Sequence, residues 1–296
     1  MTQPIIALFG RRQVGKSHIA DHLVKEHGFV RLHPFNPGKA GCRRVYEVLG
    51  ATPEQARRMT DTDLKDVPVA FLPRRDLSTR NAAQKADFFA KTFCQGYLEY
   101  LGIDPDEVSR MISGDLKHRP DPRIPDGGAP AAFVFRVKRF AADRLWDAPR
   151  EGDFRSPKTQ NLDRHPDATP GHYTSRHVME RLGSFLGVDL GPEWTLNAEI
   201  ARSARVDGDE TGKVIESIVY EAAHLPSGAG LALVRVTSDR ELPIESPESD
   251  AFIQTIREDA AFHNDFTGLE SLGPRFDESM NSQGIRYEDP QGGLGL

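Results

Sequence analysis

Residues 10–17 of the 296-residue chain read Gly10-Arg11-Arg12-Gln13-Val14-Gly15-Lys16-Ser17, the pattern Gly-x-x-x-x-Gly-Lys-Ser/Thr. Its surroundings constrain the fold. An apolar run, Ile5 to Phe9, precedes it and suits a strand buried on both faces in a parallel sheet. Behind it Ile19, Leu23 and His27, with Ala20 and Val24, make one face of a helix, and Gly28 stands where a helix-ending glycine belongs. Residues 29–32 supply a second strand. Strand, glycine turn, helix and strand open a βαβ unit. The expected fold class is therefore α/β: a central parallel sheet of the P-loop NTPase type, flanked by helices.

The residue types in the loop carry a definite chemistry. Glycines let the backbone curl so that its N–H groups face inward, and with the following helix N-terminus they bind a polyphosphate. All eight residues, Gly10 to Ser17, are candidates for holding a nucleoside triphosphate. Lys16 would reach the β- and γ-phosphates, and the Ser17 hydroxyl would ligate Mg²⁺. Such a loop names the phosphoryl donor and not the reaction. No strand ends in four apolar residues followed by an aspartate. Asp239 and Glu216, in or near later strands, are candidates to help hold Mg²⁺ and equally fit ordinary strand-end charges.

Residues 36–172 have another texture, polar, proline-rich and interrupted, and they contain an internal repeat. Residues 39–68 align without gaps on 91–120 at an offset of 52, with 12 identities in 30 positions, Cys42/Cys94, Gly50/Gly102 and Lys65/Lys117 among them. Roughly two would match by composition alone. Each copy reads as a helix, a Leu-Gly stop, a short helix started by proline and an Asp-Leu-Lys loop. Two copies are too few for a solenoid, so a duplicated helical insertion is expected. Residues 131–146 read as a helix, and 147–172 as a long polar loop, either a lid or disordered. Beyond it, helical core spacing returns at 175–186, strands are expected at 213–220 and 230–238, and a helix at 251–260. The expected organisation is a core of 1–35 with 173–275, an insertion of 36–172 and a flexible tail of 276–296.

Composition excludes several classes. A net charge of -6 leaves no whole-surface basic footprint for nucleic acid. Two cysteines rule out a disulfide scaffold or a four-cysteine zinc site and fit a reducing cytoplasm; at equivalent helix positions they are expected to be buried and unreactive. No segment is long and apolar enough to span a bilayer, the N-terminus lacks a signal-peptide pattern, and the ten histidines show no metal spacing.

In order, several segments resemble the phage-type deoxynucleoside monophosphate kinases, a branch of the P-loop kinases. After the loop, Ile19-Ala20-Asp21-His22-Leu23 is similar to that family's Val-Ala-Asp-x-Leu. Phe35-Asn36-Pro37-Gly38-Lys39 resembles its Phe-Ala-Asp-Pro-Leu-Lys, and Lys65-Asp66-Val67-Pro68 its Lys-Glu/Asp-x-Pro. Thr174-Ser175-Arg176 through Leu182-Gly183-Ser184 resembles its Pro-Arg…Leu-Gly-Thr helix, Trp194 falls at the family's tryptophan, and 263–272 resembles its terminal Asn-Asp-Gly-x-Leu-x-x-Leu. The matches run from residue 5 to about 272, and only the phosphate loop is specific by itself.

The resemblance implies transfer of the γ-phosphoryl of ATP, with Mg²⁺, to a deoxynucleoside monophosphate. Arg176 would grip the acceptor phosphate with catalytic effect; Lys39, Lys65 and Glu180 would also contact the acceptor, and His263 and Asn264 would line the donor-base pocket. Arg181, Arg202 and Arg205 are candidates for lid charges. Nucleotides are the expected partners, a homodimer is compatible with the family, and no membrane is involved. Two departures matter. The family's Asp-x-Arg-Phe-x-Asn-Glu element is replaced by Ser217-Ile218-Val219-Tyr220-Glu221, and Val188 stands at an arginine position. Losing arginines near a transferring phosphoryl group weakens charge stabilisation. Three readings stay open: a monophosphate kinase, a kinase acting on a hydroxymethylated base in phage DNA through Arg136, Lys138, Arg139 and Arg144, and a nucleotide-binding module without catalysis.

Overall fold

The structure, a computed structural model, describes residues 4–69, 82–113, 123–124, 130–145, 173–191, 194–216, 218, 230–243, 247–268 and 270–287. The chain divides into two compact units, one of 1–34 with 200–296 and one of 35–199.

The first unit is built on a sheet. Strand β1 (Ile5–Phe9) leads through the glycine loop into helix α1 (Lys16–His27) and strand β2 (Val30–Leu32). Strands β5 (Lys213–Glu216), β6 (Leu231–Ser238) and β7 (Ala260–Asn264) complete five parallel strands in the order β2-β5-β1-β6-β7. β1 is central, with Leu8 opposite Glu216 on one side and Val234 on the other. Four of its five residues are wholly buried, as its unbroken apolar run requires. The chain leaves β1 toward β2 and leaves β6 toward β7, on opposite sides. The carboxyl ends of β1 and β6 therefore flank a topological switch point, where open α/β sheets place their ligands.

Two expectations fail here. Residues 251–260 are not one helix: α9 (Pro247–Ile253) stops early and Ala260 opens β7. Ala260, Phe262 and Asn264 are buried while Ala261 and His263 are exposed, the two-residue period of a strand. The tail is not flexible from 276. Helix α10 (Leu272–Ser282) buries Leu272, Phe276 and Met280 at four-residue spacing, and Ile285 and Tyr287 pack on the same core. Gly273, Pro274 and the glycine-rich end hide that stripe in the sequence; residues 288–296 lie outside the described residues.

The second unit is mainly helical. It contains α2 (Asn36–Val48), α3 (Pro53–Asp61), a 3-10 turn (Asp63–Asp66), β3 (Pro68–Val69), α4 (Ala82–Tyr100), α5 (Pro105–Ser113), α6 (Pro130–Phe140), β4 (Tyr173–Thr174) and α7 (Ser175–Ser184). Helix α8 (Leu196–Asp207) carries the boundary between the units. Helices α2 and α4 cross closely because glycines meet there. A Cβ on Gly41 would stand 2.6 Å from the Phe93 ring, and one on Gly96 2.5 Å from the Arg44 Cβ. The segment 173–199, grouped with the sheet by sequence pattern, instead buries Val178, Leu182, Phe185 and Leu186 in the core shared by α2, α4 and α6.

The two aligned copies follow the same local course. After α2, Gly50 donates to the Glu47 carbonyl and Ala51 to that of Tyr46; after α4, Gly102 donates to Glu99 and Ile103 to Leu98. Both glycines have positive φ, 109° and 84°. The next helices are capped alike: Thr52 Oγ1 accepts from the Gln55 N–H at 3.2 Å and Asp104 Oδ1 from the Glu107 N–H at 3.2 Å. Lys117 and the rest of 114–120, Trp146, the 147–172 loop and the stretch 219–229 lie outside the described residues. Among the described residues no helix is long and apolar enough to cross a membrane.

Candidate functional site

The glycine loop leaves the carboxyl end of β1 at the switch point. Gly10 has φ 142°, Gln13 φ 62° and Gly15 φ 97°, three turns into the left-handed half of conformational space within six residues. Gly10 lies against β6 so closely that a Cβ would sit 2.1 Å from the Val236 carbonyl oxygen. Lys16 opens α1 and folds back over the loop, its Nζ donating to the carbonyls of Gly10 at 2.8 Å and Arg11 at 2.5 Å. Burial lowers the Lys16 pKa to about 8, against the opposing pull of Glu216. The ammonium is thus held at the mouth of the loop, weakly solvated and, among the described residues, bonded to two neutral carbonyl oxygens.

Glu216 ends β5 beside β1. Its Oε2 is buried with no hydrogen-bond partner among the described residues, while Oε1 lies 3.9 Å from Arg31 Nη1. Arg31 also donates to Asp21 at 2.7 Å and to the Ser17 carbonyl at 3.1 Å. A buried carboxylate oxygen without a partner among the described residues, near Lys16, suits the water shell of a divalent cation.

The remaining loop residues divide their work. Arg11 turns its guanidinium away to Asp250, at 2.9 and 3.0 Å, and to Glu241 at 3.0 Å; the Asp250 bonds, ahead of Glu241, raise its pKa. Arg12 exchanges both backbone hydrogen bonds with Leu242 at 2.9 Å. Arg11 and Arg12 thereby stitch the loop to the segment after β6, and Arg11's charge is already matched by two carboxylates. Val14 is fully buried.

Asn264, expected in a base pocket, stands behind the loop instead. It is 1% exposed, its Nδ2 donates to the Val14 carbonyl at 3.1 Å, and its Oδ1 accepts the Phe266 N–H at 3.1 Å. Its side chain is spent on backbone groups, so it positions the loop. Phe266, at φ 56°, is a bulky residue in the left-handed region, and the Arg240 guanidinium lies 5.1 Å over its ring. Both follow sheet strands at the carboxyl edge, and sequence pattern singled out neither. His263 is half-exposed and bonds Thr237 at 3.1 Å.

The residues expected to hold an acceptor fall in the helical unit. β3 and β4 pair antiparallel with Pro68 opposite Thr174, which brings the Lys65 turn next to the first turn of α7, where Arg176 stands half-buried. Tyr46 and Ser175 share a buried hydrogen bond of 2.7 Å that fixes that helix start to α2. Lys39 pairs with Asp61 at 3.3 Å and Arg43 bonds the same carboxylate at 2.6 Å. Glu180 is exposed. Lys91, aligned with Lys39, differs: it pairs with Asp87 at 3.0 Å, beside Lys138, in a cleft of about 750 Å³ that Phe88 and Thr92 also line. Burial pushes both Cys42 and Cys94 thiols far up, so both are inert.

No known family model matches the chain, and no curated protein matches it.

Proposed function

We propose that this chain is a P-loop nucleotide kinase that transfers the γ-phosphoryl group of ATP to a deoxynucleoside monophosphate. The observation that carries the reading is the glycine loop at the switch point of a five-stranded parallel sheet, with the Lys16 ammonium held across its mouth. On polyphosphate binding, Lys16 would exchange the Gly10 and Arg11 carbonyls for phosphate oxygens, and the loop amides would take the rest of the charge. Mg²⁺, when bound, would neutralise charge between the β- and γ-phosphates. Ser17 would ligate it, and Glu216 would orient its water shell through the open oxygen.

An acceptor phosphate is already ionised, so no general base is required; positioning and charge neutralisation account for most of the rate. Arg176, with Lys39 and Lys65, supplies the acceptor grip in this reading, through a fork suited to a phosphate. The paired β3 and β4, which join the Lys65 and Arg176 elements, support that assignment. The aligned copies, with their matched helix ends, support a duplication.

The test is transfer from γ-labelled ATP to the four deoxynucleoside monophosphates, 5-hydroxymethyl-dUMP and hydroxymethyluracil-containing DNA, with Lys16→Ala as control. A labelled nucleoside diphosphate that disappears in the variant is expected. Label on DNA would shift the acceptor to a modified base. ATP binding that depends on Lys16 without any transfer would leave a binding module.

A further inference from the structure

A second polar cluster lies in the sheet unit, at the opposite end of α1 from Lys16. His22 Nε2 and His27 Nε2 lie 2.8 and 2.9 Å from the same oxygen, Asp277 Oδ2. All three donor atoms fall within 4.8 Å of one another, and each side chain is between 13% and 21% exposed. The spacing of five residues sets the histidines about 140° apart around α1, which explains why the sequence shows no metal spacing. The rings converge because both reach toward α10.

The geometry points to a site for a borderline divalent transition-metal ion of the zinc class, held by His22, His27 and Asp277. Two imidazoles and a carboxylate are the donor set such an ion prefers, and three protein ligands leave a position for water. A tetrahedral ion spaces its ligand atoms roughly 3.3 Å apart, and the two Nε2–Oδ2 distances of 2.8 and 2.9 Å widen to that by about half an ångström. The surroundings resemble a prepared second layer. Tyr287 donates to the other oxygen, Asp277 Oδ1, at 2.6 Å and orients the carboxylate. The His27 ring packs edge-on against Tyr287 at 4.9 Å and against His22 at 5.2 Å. His22 lies on bare Gly273, where a Cβ would stand 2.2 Å from its Nδ1. Without the ion, each Nε2–H donates to Asp277. With it, each ring carries its proton on Nδ1. The buried Nδ1 of His27 has no partner among the described residues, so the site is weaker than a fully supported structural zinc site and exchanges its ion. The bound ion would clip α10 to α1, the helix that begins at the phosphate loop. None of this depends on the kinase reading.

The full chain, dialysed against a chelator, would be titrated with Co²⁺ while visible absorption is recorded, and with Zn²⁺ by calorimetry and thermal unfolding. One equivalent of Zn²⁺, visible bands of low-coordinate Co²⁺ that Zn²⁺ abolishes, and a raised unfolding temperature are expected. Tyr287→Phe, which keeps all three ligands, should weaken Zn²⁺ several-fold. His22→Gln/His27→Gln should weaken it at least a hundred-fold and abolish the bands. Absence of the bands in the unmodified chain, or Zn²⁺ affinity equal in the double variant, would overturn the proposal and leave a hydrogen-bonded clamp. Should the double variant fail to fold, the wild-type spectrum and the Tyr287→Phe shift decide the question by themselves.

Discussion

The side-chain amide of Asn264 donates to the carbonyl of Val14, 250 residues earlier, at 3.1 Å in a fully buried setting. The bond holds the inner arm of the glycine loop, and the same residue's Oδ1 fixes the turn that carries Phe266. Asn264→Ala takes the donor from a buried carbonyl, at about 1–3 kcal/mol, and the acceptor from a part-buried N–H, at less. The expected outcome is a less stable chain whose ATP affinity falls on the order of tenfold, since the loss of about 1.4 kcal/mol of loop preorganisation is tenfold in binding. Urea unfolding and fluorescent-nucleotide titration measure the two effects. Unchanged affinity would remove Asn264 from the loop's support.

Lys16 gives a pH dependence with opposite signs for binding and stability. Its pKa in the free protein is lowered by burial to about 8. In the proposed reading a polyphosphate would bind the charged form, so above pH 8 binding would require proton uptake. Affinity should then fall as pH rises, by up to tenfold per unit. Calorimetry in buffers of different ionisation enthalpy detects the uptake. Stability moves the other way. Between about pH 8 and the ordinary lysine value of about 10.4, the unfolded chain binds more protons than the folded one, so the Lys16 contribution to stability rises with pH across that window. Its full extent is on the order of 3 kcal/mol. It should appear as a difference in urea midpoint from Lys16→Met that changes with pH.

Two glycines with positive φ should respond unequally to alanine. At Gly102, φ 84°, a Cβ meets nothing within 4 Å, so Gly102→Ala carries only the backbone cost of about 1–2 kcal/mol. At Gly10 the Cβ would strike the Val236 carbonyl at 2.1 Å, in the middle of the sheet. Gly10→Ala should cost more than about 4 kcal/mol and abolish the native thermal transition. Equal melting temperatures for the two variants would refute the close approach of loop and strand.

In the helical unit, Glu199 is fully buried and accepts from Asn36 Nδ2 at 2.8 Å and from the Tyr100 hydroxyl at 3.0 Å. Glu199→Ala removes the acceptor of both bonds and leaves a cavity, and a loss of about 3–5 kcal/mol is expected. Glu199→Gln keeps an acceptor oxygen and should lose less. Chemical denaturation of both variants ranks them; a Gln variant as unstable as the Ala variant would mean that the carboxylate charge, not the hydrogen bonds, holds this core.

The parts legible in sequence are those set by short-range chemistry. The loop, its strand and its helix follow from glycine placement and apolar periodicity over about thirty residues. The helix ends at Gly50 and Gly102 follow from the Leu-Gly stops. Pairing across long separations was not legible. Nothing local marks Asn264 as a brace, because its partner is a backbone carbonyl and every residue has one. Phe266 carries no sign of a left-handed turn, since that conformation is imposed by Asn264 and Asp265. His22, His27 and Asp277 miss any metal spacing because their meeting depends on α1 lying beside α10. The division at 199/200 is not legible for the same reason: the spacing of Val178 and Leu182 declares a buried face and not which core buries it.

The order of the strands also sets a schedule for synthesis. The helical unit is one uninterrupted stretch, 35–199, whereas the sheet unit is split around it. β1 ends at Phe9, yet both its neighbours, β5 and β6, begin only at Lys213 and Leu231. At ~5–20 residues per second this wholly apolar strand waits roughly 10–40 s for its two neighbours. Over that stretch of synthesis the strand is made without either of its sheet partners. That interval, rather than the finished fold, is when the protein most needs a chaperone and when slowed translation would favour aggregation.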